Sequence, residues 1–251
     1  MSIEKDVKDL QRTTSQTARN EAQVAALSTW LSMPKLVACW DMRSIDYESR
    51  IYDHSGQGRS LEQMNGFTTN SGIAPYVSLT NAQWLFRYAD MGLAITGEMT
   101  VAFWIRIPVI GAGGILMGRW STTANQRIWS SGLSAAGVLD CTISLTGAGG
   151  GGVQTIASTK ALAANTWTFV AGKFIPNTEL TVFNNMTKTS LLAGVFASLF
   201  AGMTKYQING RNWGTAATIA MDIGLTGIYS NALSDASIYQ LFQSSRGWYG
   251  A

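Results

Sequence analysis

Charged side chains are scarce in this chain. Its 251 residues include 18 Lys and Arg and 15 Asp and Glu, so 13% are charged, against about 25% in an average soluble protein. The net charge of +3 is small and the basic residues after Arg106 stand singly, which argues against a nucleic-acid partner. Carboxylates are scarcer still toward the C-terminus: from Met99 onward there are only Asp140, Glu179, Asp222 and Asp235.

Cysteines and long apolar runs are also few. Cys39 and Cys141 lie far apart in apolar contexts, so we predict two free, buried thiols rather than a disulfide. No run reaches the roughly 18 apolar residues of a membrane span, and the first residues lack the apolar core of a secretory signal. We therefore expect no membrane partner, no signal peptide, and folding in a cytosol.

The first 33 residues differ from the rest. They contain eight charged residues and no Gly or Pro between Ser2 and Met33, which predicts one helix over residues 2–32 that Pro34 ends. Apolar and small residues recur every seven positions, the spacing of a coiled-coil stripe. The predicted oligomerisation residues are Ile3, Val7, Leu10, Thr14, Thr17, Val24 and Leu31.

Two interpretations of this helix stay open. It could pack on its own domain as an amphipathic helix. Alternatively, it forms a short parallel bundle with copies of itself, such as a trimer, or docks into a socket of a larger assembly. Its polar middle favours the second interpretation, because such a helix has little to bury within its own chain.

From Leu36 onward the chain consists of short β-like runs separated by Gly, Asn and Ser. In Met99–Ile107, alternate residues predict two apolar faces, from which we infer packed sheets. One late helix is predicted from Asp235 to Gln243 with Ser234 as its N-cap. The predicted strands are Leu36–Met42, Tyr76–Leu79, Met99–Ile107, Gly114–Arg119, Arg127–Ser130, Val138–Leu145, Gln154–Ala157, Thr166–Phe174, Glu179–Asn184, Tyr206–Gly210 and Ala220–Tyr229.

Many strands with one short helix predict an all-β fold, a β-sandwich or jelly roll. Five segments in order resemble the laminin-G-like, concanavalin A-like lectin family. They are residues 36–40 (LVACW), 53–58 (DHSGQG), 97–105 (GEMTVAFWI), 165–171 (NTWTFVA) and 228–238 (IYSNALSDASI). The resemblance implies a concanavalin A-like jelly roll, which we place at residues 34–251, preceded by a helix for oligomerisation or docking at residues 1–33.

Some members of this family are glycosidases or bind calcium, and neither activity is predicted here. Glycoside hydrolysis needs two carboxylates flanking one bond. Asp46 and Glu48 are two residues apart, but their turn-like sequence predicts a solvated loop. The single histidine, His54, lies in the tight turn with Ser55 and is expected to bond locally. Asp53 and Asp222 are the only candidate Ca²⁺ ligands on stretches that correspond to the family, too few for the oxygen ligands of Ca²⁺. We predict no enzyme, no cofactor and no metal.

A glycan is the ligand that the family resemblance implies. Sugar sites combine an exposed aromatic ring with amide and hydroxyl groups. The predicted carbohydrate-binding residues are Trp120, Asn125, Trp129, Arg211, Asn212 and Trp213, whereas Trp84 is a further loop-side aromatic and Trp40, Trp104 and Trp167 are assigned to the core. For any single Trp the alternative is a ring that covers an open end of the sandwich or packs on a neighbouring subunit.

The favoured function is a non-enzymatic virion structural protein, similar to a bacteriophage head fibre, decoration protein or tail-fibre component. Its helix would contact other virion proteins or copies of itself, and its jelly roll would face surface glycans. Such a protein would be assembled in the host cytoplasm. The alternative is a stand-alone carbohydrate-binding module of a secreted or cell-surface system.

Overall fold

The fold is given by a computed structural model that describes residues 3–70, 74–88, 90–210 and 219–251, with the backbone alone for residues 3–7, 9, 10 and 91. Within these ranges two α-helices accompany sixteen β-strands. They are α1 (Ile3–Ser32), β1 (Leu36–Ile45), β2 (Ile51–Asp53), β3 (Glu62–Met64), β4 (Thr68–Asn70), β5 (Tyr76–Leu79), β6 (Trp84–Arg87), β7 (Met99–Arg106), β8 (Gly114–Ser121), β9 (Gln126–Leu133), β10 (Val138–Ser144), β11 (Val153–Ala161), β12 (Thr168–Ile175), β13 (Glu179–Asn184), β14 (Thr187–Leu191), β15 (Tyr206–Ile208), β16 (Met221–Tyr229) and α2 (Asp235–Tyr249).

The strands form two antiparallel sheets. The larger sheet runs β14-β13-β12-β7-β16-β1-β2, and β5 with β4 continues it beside the first residues of β16. The smaller sheet runs β11-β10-β9-β8-β15-β6-β3. This arrangement confirms the predicted concanavalin A-like sandwich behind an N-terminal helix. Each predicted strand has an observed counterpart, but β2, β3, β4, β6 and β14 were not predicted.

The main core lies between the two sheets. The predicted inward face of β7, with Val101, Phe103 and Ile105, is buried there. It meets Trp40 of β1, whose ring stacks on Tyr206 of β15 with centroids 5.1 Å apart. Trp129 of β9 closes the same core. Burying rings of this size contributes a large share of the stabilising free energy of such a domain.

A second apolar cluster covers the outer face of the larger sheet. Trp104 and Phe169, opposite each other on β7 and β12, pack there under α2. Trp104 stacks on Tyr249 at 4.6 Å between centroids and donates a hydrogen bond to Ser245 at 2.8 Å. The inferred packing of sheets is confirmed on the inner face of β7, whereas its second apolar face is covered by helices.

The predicted helix α1 has two parts. Residues 11–22 are exposed on every side, whereas Ala26 and Trp30 are fully buried in the outer cluster. The indole of Trp30 donates to the carbonyl of Leu241 in α2 at 3.2 Å. The last turns of the helix thus belong to the same packed unit as the sandwich, and the division at residue 33 stays a prediction.

The two cysteines lie as the sequence predicted, whereas two of the tryptophans do not. Cys39 and Cys141 are free and buried, and burial raises the pKa of the Cys141 thiol to about 12. Trp84 is not a loop residue, because it begins β6 and is buried. Trp167 is half-buried just before β12 and so is not a core residue. In the part of the chain described, no helix is long and apolar enough to cross a membrane.

Candidate functional site

The β8–β9 hairpin carries the best-supported candidate site. Trp120 is half-buried at the end of β8, opposite Arg127 of β9. Asn125 is exposed in the connection, and its side-chain oxygen accepts a hydrogen bond from Arg127 Nη1 at 3.2 Å. The hairpin therefore brings an aromatic ring, an amide and a guanidinium together.

A cavity of about 400 Å³ opens beside this hairpin. Its walls are Ser121, Thr123, Gln126, Ala201, Met203 and Thr204. We call these six residues, with Trp120, Asn125 and Arg127, the hairpin-end surface. Gln126 joins the two walls, since its side-chain oxygen accepts a hydrogen bond from the Met203 amide at 2.9 Å. Hydroxyl, amide and backbone groups thus face a recess of a size suited to a small ligand.

Arg119 supports this cavity from inside the sandwich. It is fully buried, and its guanidinium donates to the carbonyls of Thr204 and Gly202. Burial lowers its pKa to about 10 because the charge loses solvation, although the nearby Asp90 carboxylate opposes this shift. Arg119 was not among the predicted site residues. Its place at an inward position of a predicted strand could have indicated a buried arginine.

Positive charge exceeds negative charge next to the cavity. Arg59 and Arg87 approach the same Asp90 carboxylate, at 3.4 and 3.6 Å. The Asp90 charge also raises the pKa of Arg119, against the larger effect of burial, and Asp90 receives the Gly92 amide at 2.8 Å. These three guanidinium groups outnumber the single carboxylate, which favours a positive potential around them.

Of the other predicted sugar-binding residues, only Trp129 lies in the described part of the chain. Trp129 is a correction: it is 2% exposed in the inter-sheet core, so no sugar can stack on its ring. Arg211, Asn212 and Trp213 lie outside the described residues.

The predicted oligomerisation residues are also divided. Thr14 and Thr17 are exposed, and Val24 is 67% exposed. The side chains of Ile3, Val7 and Leu10 lie outside the described part. Leu31 packs against the outer cluster of its own domain, which corrects its assignment to an intermolecular stripe.

The turn at Asp53, one of the segments that resemble the family, is held by hydrogen bonds within the chain. The buried Asp53 carboxylate accepts hydrogen bonds from the amides of Cys39, Ser55 and Arg59 and from the Ser55 hydroxyl, at 2.8–3.0 Å. Burial lowers the pKa of the neighbouring His54, despite the opposing charges of Asp41 and Asp53. These hydrogen bonds occupy the Asp53 oxygens. The His54 ring contacts Tyr52 edge-on with centroids 5.1 Å apart, and its Nε2 has no hydrogen-bond partner among the described residues, so local bonding of this side chain stays a prediction.

Three of the four carboxylates after Met99 are paired. Asp222 binds Arg106 at 2.6 Å and accepts a hydrogen bond from Ser78 at 2.5 Å. Glu179 and Asp235 share Lys173 and Lys188 at 2.7–3.0 Å. Asp140 is separate, and burial raises its pKa although the Thr142 hydroxyl opposes this. Among the described residues no group of three His, Cys, Asp or Glu side chains could hold a metal.

The family follows from a comparison with known protein families. A model described as "Concanavalin A-like lectin/glucanases superfamily", Laminin_G_3, matches residues 70–239, more than half of the chain. The chain belongs to this superfamily. A search of curated proteins finds no match.

Solved structures share the fold of this superfamily member. The binding domain of Paraclostridial Mosquitocidal Protein 1 has a TM-score of 0.68 at 16% identity, covering 86% of this chain and 55% of that one. A botulinum neurotoxin type C structure, described as dependent on two ganglioside molecules for cell entry, has a TM-score of 0.68 at 15% identity, covering 87% and 52%. The botulinum neurotoxin DC binding domain, in complex with rat synaptotagmin II, has a TM-score of 0.66 at 16% identity, covering 84% and 51%. Because the chain spans about half the length of each, this likeness concerns the fold alone.

Proposed function

We propose that this protein is a non-enzymatic, glycan-binding jelly roll that its N-terminal helix attaches to a larger assembly. The observation that carries the proposal is the hairpin-end surface. There the half-buried Trp120 stands opposite Arg127, which bonds the exposed Asn125, and their sequence neighbours Ser121 and Gln126 line a cavity with hydroxyl and amide groups. An aromatic ring next to fixed polar groups is suited to a sugar with one apolar face and several hydroxyls.

The charges at this end favour a glycan that carries an acidic group. Arg59, Arg87 and Arg119 together outnumber Asp90, and Arg127 adds a positive charge at the hairpin itself. A carboxylate or sulfate on the sugar would be attracted over the distance that salt leaves unscreened, about 8–10 Å at physiological ionic strength. Binding should therefore weaken as salt concentration rises.

The comparisons support the binding role. Two of the similar structures are described as binding domains, and one is described as acting with gangliosides. A purely binding function also agrees with the paired state of Glu179, Asp222 and Asp235. These carboxylates are committed to cations and offer no free pair for acid and base catalysis.

A glycan array probed with the full chain and with Trp120→Ala tests the glycan site. We expect the intact protein to bind acidic glycans and Trp120→Ala to bind them roughly tenfold more weakly, since a stacking ring is lost. Trp120→Phe, which keeps a ring, should retain most of the binding. Trp167→Ala is the matched control, because Trp167 is also half-buried but precedes β12 at the far end of the sandwich. An intact protein that binds no glycan on the array would contradict the proposed ligand.

The attachment role rests on the exposed part of α1. The side chains of residues 11–22 are all exposed to solvent, and isolated helical segments of about 12 residues are marginal in water. Small side chains on one face, Thr14, Ser15 and Ala18, line a shallow groove that would let another helix approach closely. We infer a parallel bundle, with a trimer as its simplest form, or docking to another structural protein of a virion assembled in a host cytoplasm. A stand-alone module would use no such contact.

A further inference from the structure

The turn between β1 and β2 is stabilised by hydrogen bonds among its own residues. The Asp46 carboxylate accepts hydrogen bonds from the amides of Glu48 and Arg50 at 2.9 and 3.0 Å and from Arg50 Nε at 2.8 Å. The Arg50 guanidinium also binds Glu48 at 2.6 Å, and the Ser49 amide donates to the Asp46 carbonyl at 3.0 Å. The backbone at the tip is thus held by side chains of the turn itself.

This ordered turn displays one aromatic side chain to solvent. Tyr47 is 93% exposed, the largest exposure among the large apolar side chains described. A tyrosine has only two flexible side-chain angles, so little conformational freedom remains to be lost when a ligand contacts its ring. Tyr47 therefore presents an accessible ring on a turn whose backbone is held by hydrogen bonds.

A polar cavity of about 410 Å³ adjoins the turn. Glu48, Ser49 and Arg50 form one wall, and Glu62 and Gln63 of β3 form the other. The Gln63 amide donates to the Ser49 carbonyl at 3.3 Å and joins the two walls. In the smaller sheet β15 and β6 separate β3 from β8, so this cavity is distinct from the hairpin-end surface.

We propose that Tyr47 and this cavity form a second carbohydrate site, one that takes a neutral, hydroxyl-rich sugar. The lining offers carboxylate acceptors, an amide that both donates and accepts, and a guanidinium donor, which matches the mixed demands of sugar hydroxyls. Three carboxylates, of Asp46, Glu48 and Glu62, outnumber Arg50, and Lys205 lies close enough to influence Glu62. The small negative balance disfavours the acidic glycans proposed for the hairpin-end surface.

The chemistry around Tyr47 argues against a lipid surface as its partner. Its sequence neighbours Asp46 and Glu48 are both acidic, and burying charged groups in a membrane interface is unfavourable. A sugar needs only the ring face of Tyr47 and the polar cavity, whose wall begins at the next residue, Glu48.

The test is fluorine NMR on the full chain labelled with 3-fluorotyrosine, titrated with cellohexaose, chitohexaose and xylohexaose. The Tyr47 signal is assigned by its absence from the Tyr47→Phe variant. We expect at least one of these neutral oligosaccharides to shift the Tyr47 signal. Phosphatidylcholine vesicles should leave it unchanged.

Calorimetric titration with the same oligosaccharides completes the test. Tyr47→Ala is expected to weaken binding roughly tenfold, and Tyr47→Trp should preserve it. Tyr239→Ala, an exposed tyrosine on α2, is the matched control and should bind as the parent does. Trp120→Ala should also leave this binding intact, which separates this site from the hairpin-end surface. The proposal is overturned if none of the three oligosaccharides binds, if Tyr47→Ala binds as well as the parent, or if the vesicles alone shift the signal.

Discussion

Asp53 illustrates how one side chain can organise a turn. Its buried carboxylate receives four hydrogen bonds from groups on β1 and on the turn that follows β2. The sequence pattern around Asp53 was recognisable because the turn is local: its donors at Ser55 and Arg59 lie within six residues. The amide of Cys39, fourteen residues away, was not predictable from that pattern.

We predict that Asp53→Ala destabilises the protein by roughly 3 kcal/mol, because several buried donors lose their acceptor at once. Glu98→Ala, an exposed carboxylate with one hydrogen bond at 3.3 Å, is the control and should cost less than about 1 kcal/mol. Urea unfolding measures both. If added calcium raised the unfolding midpoint of the parent but not that of Asp53→Ala, Asp53 would be a metal ligand and this account of the turn would be wrong.

The two hairpin tryptophans show where single-residue prediction failed. Trp120 and Trp129 both stand near polar residues in the sequence, but only Trp120 reaches the surface. The register of β8 and β9 shifts between Ile115 and Met117 and again between Arg119 and Trp120. A bulge reverses the alternation of inward and outward residues, so the pattern alone could not tell which ring faces solvent.

Helix α1 shows the same limit at the scale of an element. The run without Gly or Pro and the stop at Pro34 predicted a helix over residues 2–32, and the observed helix spans Ile3–Ser32. The seven-residue spacing was read as a stripe for contact with other helices. The spacing did not include Ala26 and Trp30, through which the helix docks. Their partners, on β7, β12 and α2, come much later in the chain, and a local pattern contains no information about them.

Replacing Trp30 with Ala should destabilise the protein by about 3–5 kcal/mol, because a fully buried ring leaves a cavity in the outer cluster. Val24→Ala on the same helix is the matched control. Its side chain is 67% exposed, so its cost should stay within about 0.5 kcal/mol. Thermal or urea unfolding compares them, and equal losses would contradict docking through the last turns of α1.

The contact between α2 and the sheet should depend on pH. Burial opposes the charge of Glu179, but hydrogen bonds from Lys188, Thr181 and Lys173 outweigh it and lower its pKa to about 2, from an ordinary 4.5. A carboxylate with a lowered pKa stabilises the folded state above pH 4.5, and this contribution is lost as pH falls toward 2.

Glu179→Gln should therefore be less stable than the parent at pH 7, and the difference should shrink below pH 4.5. Urea unfolding of both proteins at a series of pH values gives this difference directly. Lys160→Gln, which changes an exposed lysine on β11, is the control and should show little difference at any pH. A gap between Glu179→Gln and the parent that stays constant down to pH 3 would be inconsistent with the lowered pKa.

At the scale of the whole molecule, the order of five sequence segments predicted the family and the sandwich. Each segment is a strand or turn whose residues also carry its packing, as Val101 and Phe103 do in β7. Surfaces were harder to predict than the core. The ring exposed at Tyr47 and the cavity beside Gln126 both depend on which loops meet at the sheet edges, and no local pattern specifies those meetings.

Most of the few carboxylates in the C-terminal part of the chain form ion pairs in the fold. Three of the four carboxylates after Met99 are paired with cations, and Arg59 and Arg87 share Asp90. This excess of cations supports the acidic glycan proposed for the hairpin-end surface. Its exposed helical segment, residues 11–22, lies on a separate element of the chain.

We propose that the chain is divided between a helix that attaches it to an assembly and a domain that binds glycans. Light scattering of the intact protein against a chain of residues 23–251, which keeps Ala26 and Trp30, tests it most directly. We predict that the intact protein forms a trimer or larger assembly and that the shortened chain is a folded monomer with unchanged glycan binding. A monomeric intact protein, or a shortened chain that still assembles, would contradict the account.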